Sequence, residues 1–149
     1  MPADDKETAV LIACTWNAVR SPMGAAILRH LTRGGLHVES AGVRAGALDP
    51  LAVEAMEEIG LEIGKHTPRR FEDVEDGSFD LVITLSPEAQ HKAVELTRTA
   101  ATKVEYWPTQ DPTAVEGSRE QRLGAYRAVR DQLMERLKAR FLTRSAADT

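Results

Sequence analysis

Short apolar runs alternate along this chain with longer segments of helical period. Ala9-Val10-Leu11-Ile12-Ala13 is uninterrupted, and residues 8–13 read as a strand buried on both faces. Residues 79–85 (Phe-Asp-Leu-Val-Ile-Thr-Leu) carry the next strongest strand signal. Residues 36–40, and the β-branched and aromatic residues 102–107, supply two more. The intervening segments repeat every three to four residues. Met23, Ile27, Leu28 and Leu31 share a face of a helix over 22–31 that Gly34-Gly35 ends. Asp49-Pro50 opens a helix to residue 59 that buries Ala52, Met56 and Ile59, and Ser86-Pro87 opens one carrying Ala89, Ala93, Val94 and Leu96. Residues 61–71 are broken by Gly64 and Pro68, with a helical turn over 71–74. Ser118 and Gln121 form a capping box for a long last helix whose stripe is Leu123, Tyr126, Val129, Leu133, Leu137 and Phe141.

Strands alternating with helices predict an α/β fold: a single domain over 1–149, a three-layer sandwich with a four-stranded parallel sheet and helices on both faces. Residues 1–7 and 143–149, polar and small, are expected to be flexible. In such sheets ligands bind beyond the carboxyl ends of the strands. Cys14, Ser40, Ser86 and Asp111 follow or end the four strands in turn, so the topology brings them to one edge.

Composition narrows the class. Of 149 residues 42% are hydrophobic and 28% charged, as in a globular protein, and the net charge of −4 with a pI near 5.6 argues against a nucleic-acid or anionic-membrane binder. A single cysteine excludes an internal disulfide or dithiol relay. With a charged N-terminus and no apolar run near membrane length, a cytoplasmic location is expected, where a thiol stays reduced.

That cysteine opens the segment Cys14-Thr15-Trp16-Asn17-Ala18-Val19-Arg20-Ser21, between the first strand and the first helix. Strand, tight loop and helix start converge backbone N–H groups on one point, a place for an oxyanion. The amides, the helix dipole and Arg20 favour the nucleophilic thiolate of Cys14, and the Arg20 guanidinium matches two oxygens of a phosphate or arsenate. Ser21-Pro22 reads as an N-cap followed by Pro at the first helical position. Asn17 tolerates a left-handed backbone and can shape the turn.

The chain resembles the low-molecular-weight protein-tyrosine phosphatase superfamily, which also contains the thioredoxin-coupled arsenate reductases. The resemblance runs from about Val10 to Phe141 and rests on Cys14 to Pro22, Glu39-Ser40-Ala41-Gly42, Asp49-Pro50, residues 79–85, Asp111-Pro112 and the last helix. It implies that Cys14 attacks phosphorus and that Arg20 and the loop Thr15, Trp16, Asn17, Ala18 and Val19 hold the oxygens. Asp111 would serve as general acid and base, and Ser21 would ease departure of the Cys14 sulfur. Asn17, Ser40 and His66 match a trio that braces the loop. No metal or other cofactor is implied, and the substrate would be a phosphorylated protein or a small aryl phosphate.

Several positions depart from the family pattern. Ser86 and Ala93 stand where the reductases carry two further cysteines, and Ala25 where they often use a Glu for potassium. Thr113 and Ala114 replace the aromatics that usually follow Asp-Pro. Val19 replaces a second loop cysteine, which removes protection of the nucleophile by a disulfide. Trp16 replaces a Gly; its indole could stack on a substrate ring, narrow the mouth or cover the core. The expected function is hydrolysis of phosphate monoesters, phosphotyrosine first, through a phosphocysteine. Two alternatives stay open: a single-cysteine arsenate reductase drawing on an external thiol, and a phosphate- or phosphoprotein-binding module with weak or lost catalysis.

Overall fold

The computed structural model describes residues 7–74 and 78–142. Its sheet holds four parallel strands, β1 (Ala9–Cys14), β2 (His37–Gly42), β3 (Leu81–Thr84) and β4 (Lys103–Tyr106), in the order β2-β1-β3-β4. β1 is central: Ile12 lies opposite Ser40 on one side and Ile83 on the other, and Cys14 lies opposite Gly42. Successive side chains of a strand point to opposite faces. Val10, Ile12 and Cys14 therefore join Leu81 and Ile83 in the larger core, while Leu11 joins Val82 in the smaller one. Burial on both faces is why these strands are written without polar alternation.

The helices form the two outer layers. α1 (Arg20–Thr32), α2 (Pro50–Glu57) and α4 (Arg119–Phe141) bring Met23, Ile27, Leu28, Met56, Leu123, Leu133 and Leu137 to the larger core. α3 (Pro87–Leu96) covers the smaller one with Ala93, beside Phe71 and Phe79. This is the three-layer α/β sandwich expected from the alternation of strands and helices. Ion pairs clamp α4 to the α2 end: Glu58 accepts from Arg127 at 2.7 Å and Arg130 at 2.8 Å, which holds its carboxyl down at about 2.

Several local expectations are corrected. α2 ends at Glu57, so Ile59 sits exposed in the following turn rather than in the core. On α3 only Ala89 and Ala93 are buried; Val94 and Leu96 face solvent, because one helix face suffices to cover the smaller core. Strand β2 runs on to Gly42, which makes Ser40 an interior, buried residue of the strand rather than its end. Residues 1–6 and 143–149, expected to be flexible, lie outside the described residues, but Glu7 is anchored: its carboxylate accepts from Arg140 at 3.1 Å. Among the described residues no helix is long and apolar enough to cross a membrane.

Candidate active site

β1 ends at Cys14 and α1 begins at Arg20, so five residues turn the chain through the loop. Asn17 makes the turn possible with a φ of 54°, in the left-handed region that Asn tolerates better than most side chains. The loop is stitched to the segment after β2 by three backbone hydrogen bonds: Val43 N to Cys14 O, Arg44 N to Thr15 O and Gly46 N to Trp16 O, at 2.8 to 3.1 Å. Gly42 lets the two segments approach. A Cβ there would lie 2.5 Å from Arg44 O and 2.8 Å from Asn17 N, both backbone atoms that cannot step aside.

Beneath the loop lies a closed network of side chains. Fully buried Asn17 donates from Nδ2 to Ser21 Oγ at 2.8 Å and to Ser40 Oγ at 3.0 Å. Its Oδ1 accepts from the Arg69 backbone N–H at 2.9 Å and faces His66 Nε2 at 3.0 Å. Because Oδ1 can only accept, His66 must carry its proton on Nε2. Burial holds the His66 imidazole below its ordinary value of 6.5, opposed by the Asn17 hydrogen bond and reinforced by the charge of Arg69. Arg69 also reaches Glu39 and the Ser40 carbonyl, which fixes the segment against β2.

The same network aims a donor at the thiol. Ser21 Oγ lies 2.9 Å from Cys14 Sγ, and the hydroxyl already accepts from Asn17. Its one proton has two acceptors within reach, the sulfur at 2.9 Å and the Ala41 carbonyl at 3.4 Å, and the shorter contact is the one a thiolate would take. That use of Ser21 corrects the expectation of an N-cap. Val19 occupies the cap position, α1 starts one residue before Ser21, and among the described residues no side chain caps the helix. Its first N–H groups are thus left for another acceptor.

Above the loop opens a cleft of about 290 Å³, lined by Cys14, Trp16, Val19, Arg20, Asp49 and Asp111 among others. Buried Arg20 donates from Nη1 to the Thr109 carbonyl at 2.9 Å, and its Nη2 stands 4.0 Å from Asp111 Oδ2. The guanidinium is therefore held from the segment after β4 that also carries the carboxylate. Asp111 Oδ1 accepts from Thr113 N at 3.0 Å and Thr113 Oγ1 at 2.7 Å, which leaves Oδ2 toward Arg20. Ala18 and Val19 are buried at the base of the cleft; Trp16, 49% exposed, stands at its rim. Of the three places open to that indole, core cover is excluded. Thr15 turns the other way, with its hydroxyl on Ser86 Oγ at 2.9 Å, while Ser86 caps α3 through Ala89 N at 3.3 Å.

The predicted site residues thus come to the carboxyl end of the sheet: Cys14, Trp16, Ala18, Val19, Arg20 and Asp111 in the cleft, and Asn17, Ser21, Ser40 and His66 in the network below it, while the Thr15 side chain turns away toward α3. Asp49, which caps α2 through Leu51 N at 2.9 Å, also lines the cleft, where its Oδ2 accepts from Tyr126 at 2.5 Å. Burial and the Asp49 carboxylate raise the Tyr126 phenol above its ordinary value, so it stays a donor. Thr109 carries no mark in the sequence, because it serves Arg20 through a carbonyl that any residue possesses, and Arg69 meets Asn17 in the same way through its backbone N–H while its guanidinium ties to β2. Gly42 was legible only as the last residue of a motif.

Among the described residues no group of three or more His, Cys, Asp or Glu could hold a metal ion. The model for low molecular weight phosphotyrosine protein phosphatases matches residues 9–147. An arsenate reductase of Shouchella clausii is 35% identical over 129 residues, 87% of this chain and 91% of the relative. A solved arsenate reductase in a phosphate-binding state superposes with a TM-score of 0.69 at 28% identity, covering 89% of this chain and 95% of the other. A YwlE arginine phosphatase with a phosphorylated active-site serine gives a TM-score of 0.70 at 26% identity, covering 88% and 91%. On the family model and these identities, the chain belongs to the low-molecular-weight phosphotyrosine phosphatase family, which here includes arsenate reductases.

Proposed function

We propose that the chain hydrolyses phosphate monoesters through a phosphocysteine on Cys14. One observation carries the reading: the sole thiol, a buried guanidinium and a half-exposed carboxylate line a single cleft, with a serine hydroxyl 2.9 Å from the sulfur. In the first step Cys14 Sγ forms a bond to phosphorus as the ester P–O bond breaks. The leaving oxygen takes its proton from the Asp111 carboxyl. Arg20 and the uncapped N–H groups of α1 gather the charge on the equatorial oxygens. In the second step Asp111, now a carboxylate, removes a proton from water, whose oxygen attacks phosphorus. The P–S bond breaks, and the departing sulfur receives the Ser21 hydroxyl proton as a hydrogen bond.

A second reading is favoured by similar curated relatives named arsenate reductases, 28–35% identical to this chain. There Cys14 would displace hydroxide from arsenate. A thiol from outside the chain would then attack the Cys14 sulfur, giving a mixed disulfide as arsenic leaves reduced to arsenite. The thiol must be external, because Cys14 is the chain's only cysteine. Relatedness alone leans to this reading; the lone cysteine leans to hydrolysis, which needs no second thiol.

The decisive assay is release of nitrophenol from p-nitrophenyl phosphate at mildly acidic pH, beside arsenate-dependent consumption of reducing equivalents with several thiol systems. Turnover of the first kind, abolished in Cys14→Ser, is expected. No nitrophenol above the Cys14→Ser background ends the hydrolytic reading. Arsenate turnover in that case establishes the second, and oxyanion binding without either marks a binding module.

A further inference from the structure

The carboxyl group that gives up a proton in the cleft is held by the residue two places on. Asp111 caps a single turn of 3-10 helix, Pro112–Ala114, whose Pro112 is buried and whose Thr113 lines the cleft. Both polar hydrogens of Thr113 converge on one carboxyl oxygen: Oδ1 accepts from Thr113 N at 3.0 Å and from Thr113 Oγ1 at 2.7 Å. The other oxygen, Oδ2, stands 4.0 Å from Arg20 Nη2, on the side where a phosphate would be held. The backbone N–H alone is enough for the cap, and any residue but proline supplies it. The hydroxyl is additional. It sits at one of the two positions where this chain lacks the aromatics that usually follow Asp-Pro in the family.

We propose that Thr113 is a positioning residue for the general acid: its hydroxyl, with its amide, fixes the Asp111 proton on the oxygen facing Arg20 and stabilises the carboxylate left behind. This rests on the hydrolytic reading above and adds a residue to it. An oxygen that accepts two hydrogen bonds is the carbonyl oxygen of a carboxyl group, so the acid form carries its proton on Oδ2. As Cys14 Sγ bonds to phosphorus and the ester P–O bond breaks, that proton passes to the leaving oxygen. Asp111 gains a negative charge in the same step, and its hydrogen bonds from Thr113 become charge-assisted. They are stronger in the transition state than before it, which is the condition for accelerating a step. The gain is largest for the leaving group that most needs a proton: a nitrophenolate departs with little help, whereas a plain phenolate depends on it.

The test compares kcat/KM for phenyl phosphate and p-nitrophenyl phosphate in wild type, Thr113→Val and Thr113→Ser, with inorganic phosphate affinity measured by calorimetry on the same proteins. Thr113→Val keeps the backbone N–H and the side-chain shape and removes only the hydroxyl. It is expected to lower kcat/KM about tenfold for phenyl phosphate and about twofold for p-nitrophenyl phosphate, with phosphate affinity unchanged. Thr113→Ser should restore most of both. In an Asp111→Asn background the same Val substitution should cost less than about twofold on either ester, since the group it acts through no longer gives up a proton. Equal losses on the two esters overturn the proposal, as does no loss on phenyl phosphate. So does a matching fall in phosphate affinity, or the full loss recurring in the Asp111→Asn background, since the hydroxyl would then only shape the segment. If circular dichroism shows Thr113→Val unfolded, Thr113→Ala makes the same comparison. Wild-type protein that hydrolyses neither ester defeats the hydrolytic reading and this proposal with it. Hydrolysis without the leaving-group difference defeats this one alone.

Discussion

Removing the Asn17 side chain gives the sharpest test of how the loop is held. In Asn17→Ala two donors, the Arg69 backbone N–H and His66 Nε2–H, lose their acceptor, and Ser40 Oγ loses its donor. Stranding a donor costs about 1–2 kcal/mol, so the two donors cost about 2–4 kcal/mol. An alanine at φ 54° adds about 1 kcal/mol of backbone strain that glycine would not. The expected losses are about 3–5 kcal/mol for Asn17→Ala and about 2–4 kcal/mol for Asn17→Gly, large against a typical domain stability of about 5–15 kcal/mol. Urea denaturation of both variants, with and without inorganic phosphate, reads these directly. Turnover of p-nitrophenyl phosphate by the folded fraction should fall as well, since Ser21 is no longer aimed at Cys14 by the Asn17 amide. A loss below about 1 kcal/mol in Asn17→Gly, with turnover intact, would show that the network does not support the loop. Equal losses in the two variants would refute the separate backbone contribution.

Asp111→Asn retains the Oδ1 that accepts from Thr113, so the segment should keep its shape while losing its proton; kcat is expected to drop about 10²- to 10⁴-fold with phosphate affinity little changed, as calorimetry would show. Gly42→Ala should destabilise the fold by about 3 kcal/mol or more and abolish phosphate binding, because the new methyl meets backbone on three sides; wild-type-like melting would contradict that packing. His66 is held below its unfolded value of 6.5, so the unfolded chain takes up its proton first as pH falls. Stability contributed by neutral His66 is therefore full above pH 6.5 and lost as pH falls below it. His66→Gln, which keeps a donor for Asn17, should flatten that part of the urea-midpoint profile between pH 8 and 5.5.

How far the sequence reached differs between the fold and the site. The two-faced burial of β1 was legible because nothing but an uninterrupted apolar run satisfies it, and β3 was legible as a strand from its apolar, β-branched residues. The Ser118–Gln121 box and the stripe of α4 were legible because caps and helical period are local. Parallel topology sends every strand end to one edge, so Cys14 and Asp111 were expected there together, whereas the place of Asp49, Gly46 and Ala47 in the cleft had no local signal. Local signals misled at Ser21, which looks like a cap but whose hydroxyl serves Cys14 and Asn17 within the folded loop.

What the amino-acid order determined by itself, then, was the layering of the domain and the place where a thiol, a guanidinium and a carboxylate could meet. Only the tertiary structure decided which way Trp16 turns, which atom of His66 holds the proton, and that Thr109 and Arg69 steady the site. Period and cap are properties of neighbours along the chain, whereas a carbonyl offered to Arg20 from 89 residues away, or the want of room for a methyl at Gly42, exists only once distant segments have closed on each other.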